Sequence, residues 1–586
     1  MKKAVLKIIS LIMSVVLTFT AASIGSGALE TEKAPVTDNA PAVISAASSL
    51  IPMDSFAGIF AGMEKLTSFE AFGNNVMKVI YNSLNVVVEI LCRVICAATP
   101  NPKDWKSIDE YSAEESCFLP GRSAYQTAAG RNSRWSLGYS SRSILPDDVG
   151  EGRYYIGRDV TPRIAEGVYD DQRIRVCVID DNSGEGAVVF GAIDSLGVTS
   201  ADVRSIRAGV LDYCKEKGIK VSSINIGATH AHTALDVQGV GTAFFYKLFL
   251  GGLANIITPL YDVPMLRDSN NFKSHFINES IKAIKEAFED MENGRLYYDT
   301  IDGSYYMRDK RDLITKDEMP MMPSLYFVPD SGSEATYITE IGCHPTSFSA
   351  DNMLVSSDYI YYLDEYIKEN TGSNVIIVQG ALGQITRDNI EYDESELSDY
   401  EKIGAETKAL GEAFADLIIN GDYTRELDPI INVKHRELFL TPENSLLRLA
   451  CEIQLVNNKI YYLEDGSVAM ATELGYLEFG NVLGFAMFPG EFYPETFWGN
   501  EITENATWDG TEWQYPSMHT SVEGIEVYPI SLMNDATGYV VPDNNFAFMG
   551  HIANIKRSVA DELLSVGKHT GSYLIGEYLK LVEEMK

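Results

Sequence analysis

Alternating apolar and polar positions predict a strand–helix–strand unit in the middle of the chain. Residues 173–179 alternate as a strand does, and residues 186–193 form a short apolar run that suits a buried strand. Residues 200–217 carry helical spacing, with Ser200 as the candidate cap of the helix. The alternating segment 219–226 predicts the next strand.

The same succession recurs further along, as a strand at 338–342, a helix at 358–369 and a strand at 374–378. It predicts an α/β fold with a mixed sheet, in which functional residues collect at strand ends. Residues 101–150 are polar and irregular in pattern, and the acidic segment 391–403 predicts a solvated loop.

The N-terminal part of the chain predicts a leader followed by an extension. A cationic start, a mostly apolar stretch and then small residues are typical of a signal peptide, which we expect to span residues 1–28. We therefore expect secretion, with a retained membrane anchor as the alternative. Residues 29–150 predict a linker and an apolar helical extension, and the main domain is expected to span residues 151–586. Within the extension, residues 76–98 predict an amphipathic helix that packs on the main domain, or alternatively contacts a membrane surface.

Composition narrows the classes of partner. With 83 acidic and 47 basic residues the formal net charge is −36, so the surface repels polyphosphate and nucleic acid is excluded as a partner. The same charge disfavours electrostatic docking onto anionic lipid. Seven cysteines are scattered along the chain and predict no disulfide framework. Composition leaves the oligomeric state open.

Two of the eight histidines, His230 and His232, are separated by a single residue and follow the strand at 219–226. Alternate residues of a strand point to the same face, so both imidazoles are expected to reach one small volume at the strand end. Neutral imidazole is the commonest protein ligand of zinc and titrates near neutral pH. One histidine could hold a metal while the other moves a proton; two solvated loop histidines are the alternative.

Five separated segments resemble, in order, motifs of the neutral, non-lysosomal ceramidase family. Together they span most of the chain from Tyr154 onwards and are more specific as a set than any one of them alone. The segments are Gly157-Arg158-Asp159-Val160-Thr161-Pro162, Ala228-Thr229-His230-Ala231-His232, Cys343-His344-Pro345-Thr346-Ser347, Phe488-Pro489-Gly490-Glu491-Phe492 and Thr537-Gly538-Tyr539-Val540.

The resemblance implies a zinc-dependent amidohydrolase that cleaves the N-acyl amide bond of ceramide or a related lipid. By motif position it implies zinc ligands at His230, His344, Glu491 and Tyr539. Two imidazoles and a carboxylate would leave the metal an open position for water. His344 and Glu491 each follow a predicted strand, as His230 does.

The resemblance also implies catalytic residues. His232 is expected to act as the acid/base that protonates the departing amine. Arg311 falls where the family carries an arginine near the site, and could hold a polar head group or an oxyanion; a surface charge is the alternative. Thr386 takes the place of a family serine, with altered neighbours in residues 381–388. Its branched side chain favours attack by water that zinc activates over attack by the hydroxyl itself.

Two segments leave the substrate open. Residues 233–236 after the histidine pair differ from the family pattern, which makes ceramide itself less certain than an N-acyl lipid in general. Residues 237–263 are apolar and rich in glycine, and are either buried core or a wall that contacts lipid chains. A zinc hydrolase of another amide or ester, and a secreted binding protein on the same scaffold, are the competing hypotheses.

Overall fold

The computed structural model describes residues 85–90, 92–93, 105–151, 154–157, 163–238, 272–348, 352–393, 395, 398–452, 456–501, 511–546 and 560–585. The predicted signal peptide, the start of the linker and nearly all of the segment 237–263 lie outside these ranges. Within them, no helix is both long enough and apolar enough to cross a membrane.

The strands are numbered along the described chain. They are β1 (Lys106–Ser107), β2 (Trp135–Ser143), β3 (Tyr155–Ile156), β4 (Arg163–Ile164), β5 (Gly167–Val168), β6 (Arg173–Asp180), β7 (Ala187–Ile193), β8 (Val221–Ala228), β9 (Glu292–Ile301), β10 (Met307–Asp309), β11 (Met322–Pro329), β12 (Thr336–Ile341), β13 (Leu354–Val355), β14 (Asn374–Gln379), β15 (Ile385–Arg387), β16 (Arg425–Glu426), β17 (Ile431–Leu440), β18 (Ile460–Tyr462), β19 (Val468–Phe479), β20 (Leu483–Met487), β21 (Glu491–Phe492), β22 (Glu526–Ile530) and β23 (Tyr539–Val540).

The helices are numbered in the same way. They are α1 (Ser200–Lys217), α2 (Phe272–Glu289), α3 (Tyr359–Thr371), α4 (Asp399–Ile419), α5 (Ser445–Glu452), α6 (Pro494–Trp498) and α7 (Thr570–Met585). A 3-10 helix, Ala560–Leu564, precedes α7.

Two mixed sheets form the body of the described fold. The larger follows the order β14-β12-β11-β9-β2-β6-β7-β8, with β16 paired to β9, and it is parallel at its two ends (β12 with β14, β7 with β8). The second follows β1-β18-β19-β20-β22, with β17 paired to β19. The predicted α/β fold with a mixed sheet is confirmed.

Alternation along the strands builds the layers. In β6, Ile174 and Val176 face a core shared with α1 and α2, whereas Cys177 and Ile179 face the core between the sheets. The rings of Phe190 and Phe485 stack across that inter-sheet core, with centroids 6.3 Å apart. A period of two therefore places helices on one face of the larger sheet and the second sheet on the other.

The two ends of the larger sheet approach each other, and this positions the site. Gln379, at the end of β14, donates a hydrogen bond of 2.8 Å to the carbonyl oxygen of Thr229, which follows β8. These strands stand at opposite ends of the sheet order. The loops that follow β8 and β12 are thereby brought together.

Three local predictions need correction. Residues 101–150 are not irregular throughout, because β2 lies inside the larger sheet between β6 and β9. The segment 391–403 is not all loop, since α4 begins at Asp399. The cap of α1 is Thr199, whose side chain accepts a hydrogen bond from the Asp202 amide, and Ser200 is the first helical residue.

Candidate active site

The turn after β8 carries His230 and His232 and is held on several sides. The Thr229 amide donates to Ile193 O at 2.9 Å, and the His232 amide donates to Pro345 O at 3.2 Å. His230 has a φ of +64°, a conformation that non-glycine residues rarely adopt and that clusters at functional sites. The two rings do converge as expected, but through this turn beyond the strand rather than by strand alternation.

His344 follows β12 and is fixed by a single carbonyl group. Its backbone amide donates to Ile385 O at 3.1 Å, and its ring Nδ1 lies 3.0 Å from the same oxygen. This links the loop after β12 to β15, the short strand that contains Thr386. The ring of His344 is buried, and its centroid lies 5.0 Å from that of His230.

Glu491 and Tyr539 stand side by side on the two-residue parallel strands β21 and β23, which pair Glu491 with Tyr539. Glycines preceding these residues allow the close approach. A Cβ at Gly490 would lie 2.4 Å from Gly538 O, and Gly538 has a φ of +98°. Glycine is the residue that accepts both conditions without strain.

The imidazoles and the carboxylate converge at spacings that suit a metal. His230 Nε2 lies 3.0 Å from Glu491 Oε2 and 3.1 Å from His232 Nε2, and Glu491 Oε2 lies 3.3 Å from His344 Nε2. Ligands bonded to zinc at 2.0–2.1 Å in a tetrahedron are separated by about 3.3 Å. The three histidines also form a group in which one ring nitrogen of each lies within 4.8 Å of those of the other two. The cluster can hold a metal ion.

Hydrogen bonding orients the rings for such a role. A carbonyl oxygen can only accept, so Nδ1 of His230, 2.6 Å from Leu196 O, and Nδ1 of His344 each carry the proton. Each neutral ring then presents the lone pair of Nε2 to the cluster. Metal-ligating histidines characteristically donate their other N–H to a carbonyl or carboxylate in this way.

Electrostatics favours an ionised carboxylate beside these rings. Burial alone would raise the pKa of Glu491, but His230 and His344 outweigh it and lower that pKa to about 2. Burial lowers the pKa of His344, whereas Glu491 overcomes burial and raises the pKa of His230. Two nitrogen lone pairs and a carboxylate at this spacing repel one another unless a cation or shared protons lie between them. A divalent metal ion would be such a cation.

The three remaining predicted residues, Tyr539, Thr386 and Arg311, lie in different surroundings. Tyr539 lines the same cleft as His230 and Glu491. Thr386 is buried and lines a second cleft, on which His232 also borders. Arg311 lies behind the site, where its guanidinium forms a buried ion pair with Glu495 and packs 4.0 Å from the ring centroid of Tyr493. The contact of Arg311 with a substrate stays a prediction.

The cleft in front of the cluster is largely apolar. Its described lining combines the site residues and a few polar side chains with aliphatic side chains. These aliphatic residues are Leu196, Leu447, Val456, Met470, Leu532, Ala536, Leu563 and Leu564. They come from several distant segments, so sequence patterns alone could not assemble them.

Sequence reasoning also missed residues around the cluster. Asp561 accepts hydrogen bonds from Gln384 and Tyr493, and burial raises the pKa of its carboxyl to about 6. In the segment around residues 307–311, the exposed positions Arg308 and Lys310 line the second cleft, whereas Arg311 is buried. The alternation of this short strand was the signal that could have separated them.

Fold and site together define a mixed α/β protein with a buried histidine–carboxylate cluster at the mouth of an apolar cleft. Its structure is similar to that of the neutral ceramidase from Pseudomonas aeruginosa, with a TM-score of 0.55 and 16% sequence identity over 77% of this chain and 74% of that chain. A ceramidase complexed with C2 gives a TM-score of 0.54 at 16% identity, covering 77% and 76%. At this identity the similarity establishes the fold. No protein-family model and no curated protein matches the chain.

Proposed function

We propose that this protein is a secreted, zinc-dependent amidohydrolase that cleaves the N-acyl amide bond of ceramide or a related N-acyl lipid into a fatty acid and an amine. The observation that carries the proposal is the buried cluster of His230, His344 and Glu491 opening on an apolar cleft. The similarity to the two ceramidase structures supports the reaction class. Secretion rests on the N-terminal sequence pattern.

His230, His344 and Glu491 would hold the metal, with Tyr539 on the strand beside Glu491 as the predicted fourth ligand. Zinc, when bound, is a Lewis acid that polarises a carbonyl group and makes hydroxide available near neutral pH. The carbonyl oxygens of Leu196 and Ile385 hold the ligating rings in place.

His232 is the residue best placed to move a proton. Its Nε2 lies 3.1 Å from His230 Nε2, and its side chain borders both clefts. An amide nitrogen leaves only after it gains a proton, and an imidazole can supply one near neutral pH. Thr386, on the same cleft as His232, offers a hydroxyl that can orient water or the substrate.

The apolar cleft would bind the acyl chain. Each methylene that leaves water for such a wall contributes roughly 0.8 kcal/mol, so eight aliphatic side chains can hold a long chain without any charged contact. A substrate so oriented places its amide bond at the metal cluster and the amine portion towards His232.

Hydrolysis of a fluorescent ceramide and of a panel of N-acyl amines and esters by the purified mature protein tests the proposal. We expect release of fatty acid, loss of activity on chelation and recovery on addition of zinc. Glu491→Gln keeps the shape but removes the charge, and should abolish zinc binding and hydrolysis; Glu523→Gln, at an exposed carboxylate, should change neither.

The panel separates the competing functions. Turnover of esters or of short amides alone would make the protein a zinc hydrolase of another substrate. A folded wild-type protein that binds no zinc and cleaves nothing in the panel would instead be a binding protein on this scaffold.

A further inference from the structure

The connection between β22 and β23, residues 531–538, is a bridging segment that lies between elements carrying the predicted metal ligands. It ends directly before Tyr539, and every residue in it except Gly538 is buried. It contains neither a helix nor a strand, yet hydrogen bonds hold its backbone on both sides. Contacts with neighbouring elements, rather than secondary structure of its own, therefore determine its course.

On one side, the bridging segment follows β8, the strand that precedes His230. β8 stands at one end of the order of the larger sheet. The Ala228 amide donates to Leu532 O at 3.2 Å. The Asn534 amide donates to Ile226 O at 3.0 Å. The bridging segment thus continues the hydrogen bonding of the sheet at the strand end that leads to His230.

On its other side, the bridging segment binds the turn that carries Glu491. The Thr537 amide donates to Pro489 O at 2.7 Å. The Glu491 amide donates in turn to Gly538 O at 2.9 Å, and Tyr539 follows directly. Because one short segment binds both sides, the position of Glu491 relative to β8 depends on the course of that segment.

Asn534 anchors the bridging segment through its side chain, which is buried. Its φ is +63°, in the left-handed region that asparagine adopts more readily than most other residues. Its Oδ1 accepts from the Ile226 amide at 3.0 Å, so Asn534 bonds Ile226 through both side chain and main chain. Its Nδ2 donates to Asn225 Oδ1 at 3.1 Å and to Glu473 Oε1 at 2.9 Å. Each polar atom of this amide therefore has a partner of the right kind.

Ser531 anchors the start of the bridging segment. Its amide donates to Gln379 O at 2.8 Å, and its hydroxyl donates to Gly380 O at 2.6 Å. The same hydroxyl oxygen accepts from the Phe492 amide at 3.0 Å, directly after Glu491. One hydroxyl group therefore joins the end of β14 to the strand that carries Glu491.

The predicted ligands need such a joint, because they lie on separate elements. His230 follows a strand of the larger sheet, whereas Glu491 and Tyr539 lie on the short pair β21 and β23. His230 Nε2 and Glu491 Oε2 are nevertheless only 3.0 Å apart. A functional site tolerates displacements of about 0.5 Å, so a small shift of the bridging segment would spoil this spacing.

We propose that Asn534 and Ser531 are positioning residues for the metal site, which fix the bridging segment and thereby the spacing of His230, Glu491 and Tyr539. The inference rests on the proposed function, which supplies the metal. It goes beyond that function because it assigns a role to two residues that line neither of the two clefts.

The zinc affinity of the purified protein, measured by competition with a chromophoric chelator, tests the proposal. Asn534→Gly keeps the left-handed backbone accessible and removes the side-chain bonds, and Ser531→Ala removes a single oxygen. Loss of groups that orient metal ligands typically weakens metal binding about 10- to 100-fold, so the Kd for zinc should rise by that factor in Asn534→Gly and less in Ser531→Ala. The visible absorption of bound cobalt, which reports ligand geometry, should change in both variants.

Two control variants remove similar buried groups elsewhere. Asn432→Ala removes a buried amide that donates to Glu478 at 2.9 Å, and Ser222→Ala removes a buried hydroxyl at the start of β8. Both controls should lower the free energy of unfolding of the metal-free protein, as Asn534→Gly and Ser531→Ala should, because each loses buried hydrogen bonds. The controls should nevertheless keep the wild-type Kd for zinc and the wild-type cobalt spectrum.

Unchanged zinc affinity in Asn534→Gly and Ser531→Ala would overturn the proposal and leave the proposed function intact. An equal loss of zinc affinity in the controls would also overturn it, since the effect would then be one of stability alone. If Asn534→Gly does not fold, Ser531→Ala decides the outcome. A wild-type protein that binds neither zinc nor cobalt would instead overturn the proposed function, and this inference with it.

Discussion

At the scale of single residues, the candidate site depends on histidine rings whose orientation is fixed by hydrogen bonds to backbone carbonyl groups. Carbonyl oxygens of Leu196 and Ile385 determine which nitrogen of His230 and His344 faces the cluster. The left-handed backbone of His230 turns its ring towards Glu491. Side chains fixed in this way could hold a metal without rearrangement, and such pre-organisation makes metal sites effective.

Replacing His232 with alanine should leave zinc bound and remove most turnover. General acid–base assistance is worth about 10² to 10⁴ in rate, so kcat should fall by that factor. Metal content by mass spectrometry and kcat on one substrate check this. His232 Nε2 lies 3.1 Å from His230 Nε2, so His232 is also close enough to be a metal ligand itself. Loss of zinc from the His232→Ala variant would assign it that role.

Replacing Thr386 with alanine should reduce hydrolysis without abolishing it, and Thr386→Ser should restore the hydroxyl function. The reason is that the branched Thr386 side chain is buried in the second cleft beside His232, where it can orient but is crowded as a nucleophile. Mass spectrometry of enzyme quenched during turnover should find no acyl group on Thr386. A trapped acyl-threonine would refute this assignment.

At the scale of elements, very short strands position the residues of the candidate site. The two-residue strands β21 and β23 place Glu491 beside Tyr539, and the β10–β15 ribbon places Arg308 opposite Thr386. Each pairing joins segments far apart in the chain, so neither has a local sequence signal. The apolar cleft is likewise assembled from distant segments: α5, β19, the 3-10 helix Ala560–Leu564 and loops that carry Leu196 and Leu532.

A polar substitution at Leu564 should raise KM for long acyl chains more than for short ones. Leu564 lines the apolar cleft and is 38% exposed, so Leu564→Asn should disturb chain binding more than folding. A loss equivalent to two methylenes is about 1.6 kcal/mol, or roughly fifteen-fold in KM. KM across an acyl-length series measures it.

The matched control is Tyr573→Ser, at an apolar residue of similar exposure that does not line the cleft. It should leave the chain-length dependence unchanged. If Leu564→Asn changed KM equally for short and long acyl chains at an unchanged melting temperature, this cleft would not be the binding site of the acyl chain. The predicted role of residues 237–263 in the same contact stays a prediction.

Sequence patterns predicted regular elements well where periodicity is strong. The helix α1 and strands β6, β7, β8, β12 and β14 all lie within two residues of their predicted positions. Residues 135–143 were missed because serine, glycine and arginine break the alternation of β2, although it is central to the sheet. Pairing with β6 and β9 makes this segment a strand, although its own sequence does not predict one.

At the scale of the whole molecule, the site exists because the larger sheet brings its two ends together. The hydrogen bond from Gln379 to Thr229 O joins strands at opposite ends of the sheet order, and His230 and His344 meet as a result. Spacing along the chain predicted the histidines as strand-end residues. It could not predict their mutual distances, nor the second cleft, because these depend on how the sheet curls.

The stability of the molecule should depend on one buried histidine that is remote from the cluster. Burial lowers the pKa of His435 to about 4, with Glu473 opposing and Arg207 assisting, and its Nε2 bonds to Ser223 Oγ at 2.7 Å. A histidine with a depressed pKa contributes stability above its unfolded value near 6.5, and this contribution is lost as the pH falls towards 4.

Denaturant unfolding of the wild-type protein and of His435→Gln between pH 7 and 4 measures this contribution. The free-energy advantage of the wild type should shrink with falling pH by up to about 1.4 kcal/mol per pH unit. Comparing the two proteins cancels the contributions of buried acids that do not interact with His435, whereas Glu473, 3.8 Å from His435 Nδ1, titrates together with it. A difference that stays constant over this range would show that protonation of His435 does not limit stability.

The metal content of the purified protein tests the central claim most directly. We expect about one zinc per chain in the wild type and in His569→Ala, whose ring is exposed and outside the cluster, and almost none in His344→Ala. Hydrolysis should be lost in the same variant that loses zinc and on chelation of the wild type. A wild-type protein that is free of metal and hydrolyses its substrate at full rate would contradict the account.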